Sequence, residues 1–160
     1  MTNSLRYGAA ALALASLATA APASAQYAQV IGNDLSRCEG NKGPAIKIFV
    51  RGLKSGEGNL FVRTYRAERS DWLKSKRYLS RVDMKPRQGL VVVCVPVPKP
   101  GQYAVAVQHD VDGDREVDLF GDGGGMSRNP TVYVTAPGVS KTQFAVGDGV
   151  KPITIHMKYR

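Results

Sequence analysis

Histidine and cysteine are scarce in this chain, with two of each in 160 residues. His109 and His156 lie far apart, and neither Cys38 nor Cys94 has a second Cys or His at zinc-site spacing, which argues against a zinc centre. The two cysteines do not form a Cys-x-x-Cys pair, so nothing marks a redox dithiol. Ser127 sits in Gly-Gly-Gly-Met-Ser-Arg-Asn, which is not the Gly-x-Ser-x-Gly elbow of hydrolases. The glycines at 123–125 lack the Gly-Lys-Ser/Thr of a phosphate cradle and read as a flexible loop. No segment after residue 25 approaches the ~20 apolar residues of a membrane helix, so an integral membrane protein is not expected. No nucleic-acid motif accompanies the basic composition, and no nucleic-acid partner is expected.

What is present speaks first to location. Met1 to Ala25 carries one charged side chain, Arg6, then an Ala/Leu-rich run over 9–20 and the triplet Ala23-Ser24-Ala25. A charged start, an apolar middle and a small-x-small end make a secretory signal peptide, with cleavage between Ala25 and Gln26. No cysteine lies just after the cleavage region to carry a lipid. Residues 26–160 are therefore expected as a single exported domain, periplasmic or secreted. In an oxidising compartment the even pair Cys38 and Cys94 is expected to form a disulfide. Closing so long a loop stabilises a fold by roughly 4 kcal/mol in the chain-entropy estimate.

The formal net charge is +9. Its excess concentrates from Arg63 to Arg87, where nine basic residues stand against Glu68, Asp71 and Asp83. Such a patch attracts anionic polymers. In an exported protein these are envelope polysaccharide, lipopolysaccharide or phospholipid headgroups. The simpler alternative is a solvated basic surface.

Short alternating runs bounded by Gly and Pro mark strands at 45–50, 59–65, 90–97, 102–108 and 151–159, with weaker ones at 131–135 and 143–146. In the last long run Ile153, Ile155, Met157 and Tyr159 face inward, and Thr154, His156 and Lys158 outward. Ser70 or Asp71 is expected to cap one short helical turn carrying Trp72 and Leu73. About seven strands in 135 residues predict an all-β fold, an antiparallel β-sandwich. Pro100-Gly101-Gln102-Tyr103 has the form of a tyrosine corner, with the Tyr103 hydroxyl bonded back to nearby backbone.

The chemistry points to one loop, His109-Asp110-Val111-Asp112-Gly113-Asp114-Arg115-Glu116-Val117-Asp118. Asp110, Asp112, Asp114 and Asp118 occupy positions 1, 3, 5 and 9, the spacing of hard-cation ligands such as those of calcium. Position 6, the glycine of an EF-hand turn, is Arg115, and position 12, its glutamate, is Gly121, so an EF-hand is not expected. A looser calcium site, completed by carbonyls or Asp122, competes with a solvated turn in which Asp114 or Asp118 pairs with Arg115 or the basic segment.

Gly52-Leu53-Lys54-Ser55-Gly56-Glu57-Gly58, the run from Pro100 to Asp110, Gly125-Met126-Ser127-Arg128-Asn129 and the closing Ile153-Thr154-Ile155 follow one another in order. Together they resemble the exported bacterial domain-of-unknown-function family 2141 (DUF2141) over nearly the whole mature chain. The resemblance implies an immunoglobulin-like or transthyretin-like sandwich in the cell envelope, with no established activity. Family members tend to read His-Asp-x-Asn-x-Asn-Gly-x-x-Asp in the loop, where this chain has Asp112, Asp114 and Arg115 in place of Asn, Asn and Gly. The expected function is a non-catalytic binding or interaction module, with His109, Ser127 and Asn129 as candidate ligand-binding residues. The alternative is a small metal-dependent or hydrolase-like enzyme using His109 and the loop aspartates.

Overall fold

A computed structural model describes residues 27–40, 42–118, 120–132 and 135–160. The expected signal peptide and its Ala25/Gln26 junction lie outside the described residues. So do Tyr133 and Val134 of the strand expected at 131–135, whose flanking Thr131, Val132 and Thr135 are irregular.

Ten strands form two sheets: β1 (Gln29–Ile31), β2 (Ala45–Leu53), β3 (Asn59–Arg66), β4 (Ser80–Met84), β5 (Gly89–Pro96), β6 (Gly101–Asp110), β7 (Gly123–Met126), β8 (Phe144–Val146), β9 (Val150–His156) and β10 (Lys158–Tyr159). The large sheet runs β1-β4-β3-β6-β7-β10, with β8 on the same edge of β6 as β7; the small sheet runs β5-β2-β9. Their inner faces alternate as the sequence predicts. Ile46, Ile48, Val50, Val93, Val95 and Ile155 of the small sheet meet Leu60, Val62, Val82, Tyr103, Val105 and Val107 of the large one in a single buried core. At about 25 cal/mol per Å² of apolar area removed from water, this core is the main stabilising term.

The expected strictly antiparallel arrangement is corrected in two places. β1 pairs with β4 and β9 pairs with β2 in parallel. Alternation reports which face is buried and is blind to a neighbour's direction. The last strand also divides: the Met157 amide still bonds the Arg51 carbonyl of β2, and Lys158 and Tyr159 then join β7 of the other sheet. The short helix is also corrected. Residues 69–73 form turns, and Leu73 and Lys76 take φ values of 56°, a left-handed conformation that no right-handed helix tolerates. Trp72 is instead buried against Tyr65, and its indole donates to the Pro137 carbonyl at 2.8 Å.

The glycine run read as a flexible loop is β7. Gly125 needs to lack a side chain because a Cβ there would lie 2.6 Å from the Ile155 side chain. The disulfide between Cys38 and Cys94 is formed. Beside it, the Asn33 side chain donates to the Val92 carbonyl and accepts from the Cys94 amide. It thereby caps the outer edge of β5, which would otherwise offer unpaired backbone groups. Tyr103 is a tyrosine corner: its hydroxyl donates to the Lys99 carbonyl at 2.7 Å.

Candidate functional site

The acidic loop leaves the C-terminal end of β6. Asp110 is the last residue of that strand and is fully buried. Its Oδ1 accepts from the Gly113 amide at 3.0 Å, and its Oδ2 from the Arg115 amide at 3.3 Å and the Asn59 side chain at 3.2 Å. Asp112 then accepts from the Asp114 amide at 3.2 Å, and Asp114 from the Glu116 amide at 2.7 Å. In each case a short carboxylate turns the backbone by standing in for a main-chain acceptor. Asp122 closes the loop, accepting from the Val111 amide at 3.0 Å and the Asp118 amide at 3.3 Å. The loop rests on Gly58, where φ is +68° and a Cβ would lie 1.9 Å from the Asp110 carbonyl oxygen.

This winding gathers the carboxylates into two overlapping sets. Asp110, Asp112 and Asp122 offer oxygens within 4.8 Å of one another, and so do Asp112, Asp114 and Asp118. All four aspartates singled out by spacing belong to them, Asp122 joins them, and Asp112 is common to both. A calcium ion takes 6–8 oxygens at about 2.3–2.6 Å from carboxylates, carbonyls and water. The electrostatics is that of crowded like charge: the Asp118 carboxyl is held above its usual value by desolvation and then by the charges of Asp114, Asp112, Asp122 and Asp110. The expected salt-bridged turn does not form: among the described residues neither Arg115 nor the basic segment makes an ion pair with Asp114 or Asp118. Arg115 has φ 70°. The turn therefore requires the conformation glycine adopts freely, and an arginine adopts it at a cost of about 1 kcal/mol.

The basic segment behaves differently. Asp71 is fully buried and accepts from Arg66 at 2.9 Å, Arg77 at 2.8 Å and the Tyr27 hydroxyl at 2.7 Å. Both guanidinium groups also lie over the Tyr27 ring. Arg81 forks onto Asp83, Arg63 donates to Gln108, and Lys85 donates to the Gly58 carbonyl. Asp71, read from sequence as a cap, is the hub of this network. No local sequence signal marks it, because its partners come from three separate segments.

The remaining sequence candidates are built into the fold. His109 is fully buried. Its Nε2 donates to the Glu57 carbonyl at 2.9 Å, and its Nδ1 accepts from the Tyr159 hydroxyl at 2.7 Å. A carbonyl only accepts, so the hydrogen sits on Nε2. Ser127 accepts from the Val105 amide at 3.0 Å and donates to the Thr142 carbonyl at 2.6 Å, bridging the gap between β7 and β8 along β6. Asn129 donates to the Thr154 carbonyl and accepts from the His156 amide, capping the edge of β9 as Asn33 caps β5.

Fold and loop together define an all-β sandwich with a carboxylate-rich turn at one end of its longest strand. The family described as uncharacterized protein conserved in bacteria (DUF2141) matches residues 48–154, and the chain belongs to it. The matched span takes in the acidic loop, β6 and most of the small sheet, and leaves out Cys38, β1 and Tyr159. No curated protein and no solved structure matches the chain.

Proposed function

We propose that this is an exported, non-catalytic binding module of the cell envelope whose acidic loop holds a calcium ion. The observation that carries the reading is the pair of carboxylate sets sharing Asp112, to which, among the described residues, neither Arg115 nor the basic segment at 63–87 is ion-paired. Export is supported by the signal-peptide pattern and by a disulfide of the kind that persists in oxidising compartments. The non-catalytic part is supported by His109 and Ser127, whose hydrogen-bonding atoms are engaged within the fold. Calcium is favoured over a transition metal because the gathered ligands are hard oxygens and the nearby imidazole is occupied.

Metal analysis of protein purified from the periplasm, followed by calcium titration of the chelated protein by calorimetry, tests this. The expected result is saturable calcium binding that zinc does not compete away. Protein that takes up no calcium overturns the cation reading, and turnover that depends on a metal held by His109 overturns the non-catalytic one.

A further inference from the structure

The outer face of the large sheet is not closed by the second sheet. The turn at 67–79 covers part of it, and beside that turn lies a groove of about 860 Å³, within the ~300–1,000 Å³ range of small-molecule sites. The floor is set by strand register: Arg63, Ala106 and Met126 form one row, and Gln108, Gly124 and Lys158 the next. Tyr65 and Tyr78 stand at the side. Of the six large apolar side chains exposed among the described residues, Leu73, Val117 and Val132 all line this groove. Seven lysines and arginines line it against two aspartates. Lys74, Lys76 and Arg115 form no ion pair among the described residues.

Gly124 is the independent clue. Its neighbours are glycine for a steric reason, since a Cβ at Gly123 would lie 2.3 Å from the Tyr159 ring and one at Gly125 2.6 Å from Ile155. Alternation turns Gly124 to the opposite face, where a Cβ would meet nothing within 4 Å. A strand glycine forfeits side-chain packing, and its usual reasons are a bulge, a bend or the close approach of another molecule. Among the described residues no atom supplies such a reason, and the open space is the groove floor.

We propose that this groove binds a single-chain anionic amphiphile, its alkyl chain over Ala106 and Gly124 and its headgroup held by Lys74 and Lys76. Ala106, Met126 and the bare Gly124 in the floor, with the exposed aliphatic rim of Leu73, Val117 and Val132, fit a hydrocarbon chain, and the cationic excess selects a negative headgroup. The inference rests on the binding-module reading but not on its calcium ion.

The test is calorimetric titration with decanoate below its micellar concentration, with decanol as the neutral control. One-to-one saturable binding of decanoate is expected, at least about tenfold tighter than decanol and at least about tenfold weakened by Lys74→Glu with Lys76→Glu. Gly124→Val is expected to abolish binding while leaving the melting temperature unchanged or raised. Should that variant melt lower, the exposed lysine pair decides. Absent saturable binding, equal binding of decanol, a folded Gly124→Val that binds as the parent does, or adsorption only to anionic vesicles would each overturn the proposal. Calcium-dependent melting recorded on the same samples separates its failure from that of the cation site.

Discussion

The basic segment at 63–87 and the acidic loop at 110–122 carry comparable charge density and treat it in opposite ways. In the first, Arg66 and Arg77 close on buried Asp71, and Arg81 closes on Asp83. Arg66 and Arg77 are thereby committed to holding a turn over the sheet. In the second, the carboxylates accept from backbone amides, and among the described residues neither Arg115 nor the basic segment is ion-paired to them. Paired charge tied to a buried partner is a structural element, whereas clustered charge of one sign stores repulsion that a cation relieves. Charge counted along the sequence does not distinguish the two.

The contrast can be broken at several points. Gly58→Ala should have the largest effect, about 4 kcal/mol of lost stability by chemical denaturation, because its Cβ has no room beside the Asp110 carbonyl. Asp71→Asn should cost about 3 kcal/mol. Breaking a buried pair costs ~3–5 kcal/mol, and the lower end applies because Arg66 and Arg77 keep 35% and 43% of their side chains exposed. Tyr103→Phe, remote from both regions, should cost about 1–2 kcal/mol by stranding the Lys99 carbonyl; an unchanged midpoint would contradict the corner's role. Arg115→Gly should stabilise by about 1 kcal/mol by relieving the left-handed backbone without removing an ion pair. A loss of stability there would mean that Arg115 serves the loop through its charge. Calcium affinity should weaken on acidification at pH values above the ordinary aspartate range, because the raised Asp118 carboxyl takes up its proton there. Calorimetry across that range checks it.

Much of this was legible in the sequence where the cause is local. Alternation placed the long strands, Tyr103 needed only the turn before it, and the even cysteine count in a chain expected to be exported led to the disulfide. The loop aspartates were found because their spacing is itself local. Distant causes hid the rest. Gly123 and Gly125 are glycine because Tyr159 and Ile155 press on them, so a strand read as a loop. β4 escaped notice because its outward Arg81 and Asp83 interrupt an already short apolar pattern. The parallel pairing of β9 with β2 joins segments about a hundred residues apart. His109, Ser127 and Asn129 looked available because polar residues beside a loop resemble a site until their partners at Tyr159, Thr142 and Thr154 are known.

The central claim is that the gathered carboxylates of the acidic loop hold a cation that relieves their repulsion. Thermal melting of the parent and of Asp112→Asn with Asp118→Asn, each with chelator and with calcium, tests it most directly. These two aspartates are exposed, so their replacement spares the buried Asp110 and its three hydrogen bonds. With calcium at 100 times its dissociation constant the parent should gain about 2.7 kcal/mol. The double variant should gain nothing, and in chelator it should melt at or slightly above the parent. A parent indifferent to calcium, paired with a variant clearly less stable than it, would contradict the account.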